Sequence, residues 1–149
     1  MNRILAAVDL SDATEEVLDA SLALAQHEGA KLSVLYTAPV LPAAIMGWDG
    51  VGYVPPEIDD EQAEVDRAMT LLHRILDARG IRAAECLCLR GDPAETIREL
   101  ADELEADLIV LGAHDHGKMF HTLFGSVREA ILTHSPCPVM VVPHHEAAA

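Results

Sequence analysis

A chain of 149 residues, half of them apolar, is long enough for one ordinary domain with a sizeable core and short for two, so residues 1–149 are expected to form a single domain. Ten Lys and Arg stand against 25 Asp and Glu, a net charge of −15, which argues against nonspecific binding to nucleic acid or to an anionic membrane. No apolar run approaches the roughly 18 residues that insert across a bilayer, no leader pattern precedes the first strand, and three cysteines (Cys86, Cys88, Cys137) are an odd number for a disulfide framework, so a cytoplasmic protein is expected.

Arg3 to Asp9 is a continuous apolar run closed by a carboxylate, the pattern of a central parallel strand whose carboxyl end opens on a ligand crevice. Ser11 and Asp12, with Glu15 three residues after Asp12, supply helix-start chemistry. Val17, Leu18, Leu22 and Ala25 then recur at helical spacing as far as Gly29. Lys31 to Thr37 predicts a second strand. From Ala38 to Glu57, Pro39, Pro42, Gly47, Gly50, Gly52, Pro55 and Pro56 break any regular element, and a loop this long in a small domain is usually functional or disordered. It carries Trp48 and Tyr53, apt as a lid, a dimer contact or plain mobile chain.

Glu61 to Arg79 predicts the second helix, with Val65, Ala68, Leu72, Ile75 and Leu76 as its apolar stripe and Gly80 as its stop. Ile81 to Arg90 predicts a third strand, on which Cys86 and Cys88 share one face and are taken as small core residues ahead of a metal or redox pair. Asp92-Pro93-Ala94-Glu95 spells a helix start: Asp at the N-cap, Pro at N1, Glu at N3. Ile97, Leu100, Ala101 and Leu104 line the core side of that third helix. Asp107 to Leu111 is the fourth strand, Val127, Ala130 and Ile131 mark a fourth helix, and Pro138 to Pro143 is the last strand. Five strands alternating with four helices predict an α/β fold: a single doubly wound, five-stranded parallel sheet, flavodoxin-like or Rossmann-like, with helices on both faces. Strands one and four flank the point where strand order reverses, which brings Asp9 beside the loop that begins at Gly112.

That loop carries the chemistry. Gly112-Ala-His-Asp115-His-Gly117-Lys118 leads on to Gly125-Ser126-Val127-Arg128-Glu129. Glycines let backbone approach a ligand, and a helix start offers free N–H groups to a phosphate. Ser126 and Glu129 equally form a capping box. Lys118 and Arg128 are the local cations that offset the acidic chain. The loop departs from a phosphate-binding P-loop because Met119 stands where Mg²⁺ needs Ser or Thr. His114, His116, His121, His134, His144 and His145 lack a tight helical pair and are read as solvated, so no metal ligands are assigned. No nucleophile elbow is present, and no catalytic residue is assigned; at most, slow hydrolysis of a bound triphosphate is expected.

Ile4-Leu5…Val8-Asp9 with Ser11, Ala106-Asp107-Leu108-Ile109-Val110-Leu111-Gly112, Gly125-Ser126-Val127 and Pro136-Cys137-Pro138-Val139-Met140-Val141-Val142 together resemble the universal stress proteins, a small, usually dimeric cytoplasmic α/β family, over essentially the whole chain. The nucleotide-binding branch of that family is similar to Gly, two residues, Gly, nine residues, Gly, Ser or Thr. Gly112, Gly125 and Ser126 match, whereas Asp115 occupies the second glycine position with the spacing intact. The resemblance implies that Ala7, Asp9 and Thr37 approach an adenine, Gly112 the ribose, and Gly125, Ser126 and Val127 the phosphates of ATP, ADP or AMP, with or without Mg²⁺. Gly117 allows the loop to readjust around Asp115, and Lys118 and Arg128 are added from charge alone. A stress-response nucleotide sensor is one outcome. The other is a nucleotide-free dimer that acts on an unknown protein partner, which the like charge of Asp115 favours. In either case Val139 to Val142 is an apolar strand able to pair with its copy in a homodimer.

Overall fold

The computed structural model describes residues 1–10, 14–38, 58–81, 85–113 and 127–143. Five strands, β1 (Arg3–Val8), β2 (Lys31–Ala38), β3 (Glu85–Arg90), β4 (Leu108–Gly112) and β5 (Val139–Val142), form one sheet in the order β3-β2-β1-β4-β5. All four pairings are parallel. Helices α1 (Thr14–Glu28), α2 (Ile58–Ala78) and α3 (Pro93–Glu103) connect successive strands, and α4 covers residues 127–134.

The strand order and the handedness of crossovers dictate the layers. From β1 to β3 the chain steps one way across the sheet; from β3 to β4 it returns past β1 and then steps the other way. With right-handed connections, the first two helices must cover one face and the last two the opposite face. The core divides accordingly. Ile4, Ala6, Val8, Val34 and Val110 pack against Val17 and Leu18 of α1 and Leu72 and Leu76 of α2. Leu5, Ala7, Leu35, Ile109 and Leu111 pack against Ile97 and Leu100 of α3 and Val127 and Ile131 of α4. The innermost strand, β1, is buried on both faces from Ile4 to Val8, which is why its sequence is an unbroken apolar run.

Local chemistry accounts for most element ends. Asp92 caps α3 by accepting the Glu95 N–H at 3.0 Å, with Pro93 at the first helical position. Helices α1 and α2 end on Gly29 (φ 66°) and Gly80 (φ 69°), and the N–H groups of Ala30 and Ile81 reach back to the carbonyls of Ala25 and Leu76, each at 2.9 Å. This is the six-to-one closure that needs a left-handed residue. Ile81, expected to open the third strand, serves that closure instead and is buried; β3 begins at Glu85.

Helix α3 closes in the same way, Ala106 N–H to Ala101 carbonyl at 2.8 Å, but its left-handed residue is Glu105 at φ 54°. A side chain there costs about 1 kcal/mol relative to glycine. Glu105→Gly is therefore expected to raise stability by about 1 kcal/mol, read as a higher urea midpoint with an unchanged slope.

Asp107, expected as the first residue of the fourth strand, lies just before it and acts at long range. Its carboxylate accepts the backbone N–H groups of Asn2 at 2.6 Å and Arg3 at 3.0 Å, tying the start of β1 to the start of β4. These two hydrogen bonds hold its pKa below the usual carboxylate value. A depressed folded-state pKa contributes stability above the unfolded value, about 3.9, and loses it as pH falls through the folded one. Asp107→Asn is expected to unfold more easily than the unchanged chain at neutral pH, with the difference closing below about pH 4. A gap that stays constant into acid would contradict this role.

Candidate functional site

The carboxyl ends of the strands hold the residues that the sequence singled out, and the pairing of β1 there is asymmetric. Toward β2 it stays in register to its last residue, Val8 beside Tyr36. Toward β4 the paired residues run only from Ile4 and Leu108 to Ala6 and Val110, leaving Ala7–Val8 and Leu111–Gly112 unpaired with each other. Strand β4 meanwhile stays with β5 as far as Gly112 and Val142. The sheet thus parts between β1 and β4, where strand order reverses and where doubly wound sheets bind ligands.

On one lip, Ala7 is buried, and Asp9, half-buried, follows the strand end directly. The next residue, Leu10, has φ 60°. For a branched side chain this left-handed conformation costs about 1–2 kcal/mol. Strain of this kind gathers where surrounding packing over-determines the backbone, often at ligand sites; Leu10 packs against the α1/α2 side of the core. Thr14, the first residue of α1, is buried, and its hydroxyl has no hydrogen-bond partner among the described residues. Thr37 lies near the end of β2, half-buried, with Leu89 of β3 as its register partner.

On the other lip, Gly112 ends β4, and the Ala113 N–H donates to the Val142 carbonyl at 2.8 Å. Val127 is 7 % exposed and shares a core cluster with Ala7 and Leu111. Arg128 Nη1 donates to the Ala113 carbonyl. Six of the sequence-predicted residues, Ala7, Asp9, Thr37, Gly112, Val127 and Arg128, therefore lie at or next to this end of the sheet. Asp115, Gly117, Lys118, Gly125 and Ser126 fall outside the described residues, as do His114, His116, His121, Trp48 and Tyr53.

One group and one contact escaped the sequence reading. Tyr36, beside Val8, has its phenol pKa raised, first by burial and then by the neighbouring acidic groups of Cys88, Glu64 and Asp9. An aromatic in a strand gives no signal of that neighbourhood, because Glu64 arrives from α2. The hydrogen bond from Arg128 to Ala113 likewise depends on folding. The thiols of Cys86, Cys88 and Cys137 are free, and burial pushes each of them up in pKa, away from thiolate chemistry. Among the described residues, no three His, Cys, Asp or Glu side chains converge as a metal would need, and no helix is long and apolar enough to cross a membrane. A depression of about 480 Å³ on α2, lined by Asp66, Met69, Thr70, His73, Arg74 and Asp77, draws on one helix alone among those residues.

Comparison with known proteins agrees with this architecture. The model of the universal stress protein family matches residues 1–143. The Bacillus subtilis (strain 168) universal stress protein YxiE is 31% identical over 146 residues, 95% of this chain and 98% of that protein. Among solved structures, a universal stress protein in complex with cAMP has a TM-score of 0.64 at 23% identity, covering 95% of both chains. The universal stress protein from Archaeoglobus fulgidus in complex with dAMP has a TM-score of 0.58 at 22% identity, covering 95% of this chain and 97% of that one. At these identities the two structures speak for the fold.

Proposed function

The chain belongs to the universal stress protein family, and from that premise we propose that it binds an adenine nucleotide in the crevice between β1 and β4 and acts as a stress-response sensor or regulator. The parting of β1 from β4 at the reversal of strand order carries this reading. It leaves Asp9 on one lip and Gly112 on the other. In the family pattern, Ala7, Asp9 and Thr37 face the adenine, Gly112 the ribose, and Gly125, Ser126 and Val127 the phosphates. The ligands named for the two more distant family structures, cAMP and dAMP, share an adenine, a ribose-type sugar and one phosphate, which supports this ligand class.

Charge decides the preference within that class. The chain carries −15, so an anionic ligand needs fixed local donors, and helix-start N–H groups are the economical kind because they require no counter-ion. Asp115 adds a like charge at the second glycine position, and its repulsion grows with phosphate number, so AMP loses less to it than ATP. Lys118 and Arg128 act in the opposite direction, and Mg²⁺ offsets part of the triphosphate charge. No catalytic role is assigned.

We infer too that the chain pairs with its copy. Among the described residues strand β5 is an edge of the sheet, is wholly apolar from Val139 to Val142, and leaves Val141 37% exposed. An uncharged open edge favours strand addition. Val141→Lys is expected to convert a dimer to a monomer by sedimentation; a monomer before substitution would overturn the inference.

Calorimetric titration tests the nucleotide reading, after removal of any nucleotide carried through purification. AMP and ATP with Mg²⁺ are expected to bind in about the micromolar range, Asp9→Ala to weaken both about tenfold or more, and Asp115→Gly to tighten ATP more than AMP. Absence of binding by the unchanged chain, whether or not Asp115→Gly restores it, would sink the proposal and leave the nucleotide-free, protein-binding role.

A further inference from the structure

Ala113 and Val127, the described residues that flank positions 114–126, are both anchored, and one side chain joins the anchors. Ala113 has both backbone groups engaged: its N–H donates to Val142 of β5, and its carbonyl accepts from Arg128. Val127 is buried against Leu111 and Ala7. Arg128, the residue after Val127, thus reaches across 15 positions of sequence to the residue that directly follows β4.

That choice of partner is informative. Charge alone would direct Arg128 toward a phosphate. One guanidinium N–H instead meets a neutral carbonyl at the root of the segment, in a part-buried setting where a charged donor bonds strongly. If Ser126 caps α4, Arg128 also sits in the first turn, where the helix dipole disfavours a cation. A bond that fixes the spacing between the two roots offsets that penalty. The planar fork of arginine suits such a post, because it can hold one acceptor and keep other N–H groups for a second.

We propose that Arg128 is a positioning residue for the nucleotide site: it clasps β4 to α4 and so sets the distance between Gly112 and the N–H groups at the start of α4. The proposal rests on the nucleotide reading above and concerns preorganisation, not counter-charge. The two roles differ in what they do to a ligand series. Loss of a clasp weakens AMP, ADP and ATP by the same factor, because it changes the protein before any phosphate arrives. Loss of a counter-charge weakens them progressively with phosphate number.

The test compares Arg128→Ala with the unchanged chain in two measurements. In nucleotide titrations, an equal loss of about tenfold across AMP, ADP and ATP is expected; a loss that climbs from AMP to ATP would overturn the clasp. Amide hydrogen exchange of the nucleotide-free protein is the second. The amides of Ala113 and of residues 127–134 are expected to exchange about tenfold faster while β1 and β2 are unchanged; equal exchange at those amides would overturn the clasp whether or not any nucleotide binds. Arg128→Met keeps the apolar stem and removes only the donors, and should reproduce both results if the alanine variant folds poorly.

Discussion

The reversal of strand order beside β1 is the constraint on which the rest of this structure depends. A parallel sheet can be extended on both sides of its first strand only if the chain returns past that strand, and right-handed crossovers then assign α1 and α2 to one face and α3 and α4 to the other. Nothing in that arrangement requires β1 and β4 to stay paired to their ends. Pairing stops at Ala6 and Val110, while each strand keeps its outer neighbour. The crevice is therefore a product of topology, and the residues on its lips come from opposite ends of the sequence.

Energetically the two ends of the sheet do different work. At the amino end, Asp107 satisfies the N–H groups of Asn2 and Arg3 and draws β1 and β4 together. At the carboxyl end the same strands part, Leu10 occupies a strained conformation, and the Thr14 hydroxyl is buried without a partner among the described residues. Each of these features costs on the order of 1 kcal/mol or more. The sheet is thus well satisfied at its amino end and strained at its carboxyl end, the pattern in which strain gathers at one place in a fold.

Much of this was legible in the sequence because local chemistry and tertiary structure agree. The unbroken apolar run of β1, the Asp92-Pro93-Glu95 helix start and the glycines after α1 and α2 each perform the role their residue types announce. The misses share a cause. Glu105 takes a left-handed turn that no local signal favours, because the closure between Ala106 and Ala101 leaves its backbone no alternative. Ile81 looks like the start of a strand, yet burial as the residue closing α2 claims it first. Asp107, Tyr36 and Arg128 act on partners brought from remote sequence, so spacing alone pointed to where Arg128 lies and not to what it holds.

Mapping backbone amide NMR shifts during a titration with AMP tests the central claim most directly, because it locates the ligand and detects weak binding. The account predicts saturable shifts concentrated at Asp9, Leu10, Thr37, Gly112, Ala113, Val127 and Arg128, with β3 and the outer side of α2 unmoved. Shifts confined to β3 or β5, or none that saturate, would contradict a nucleotide site in the crevice between β1 and β4.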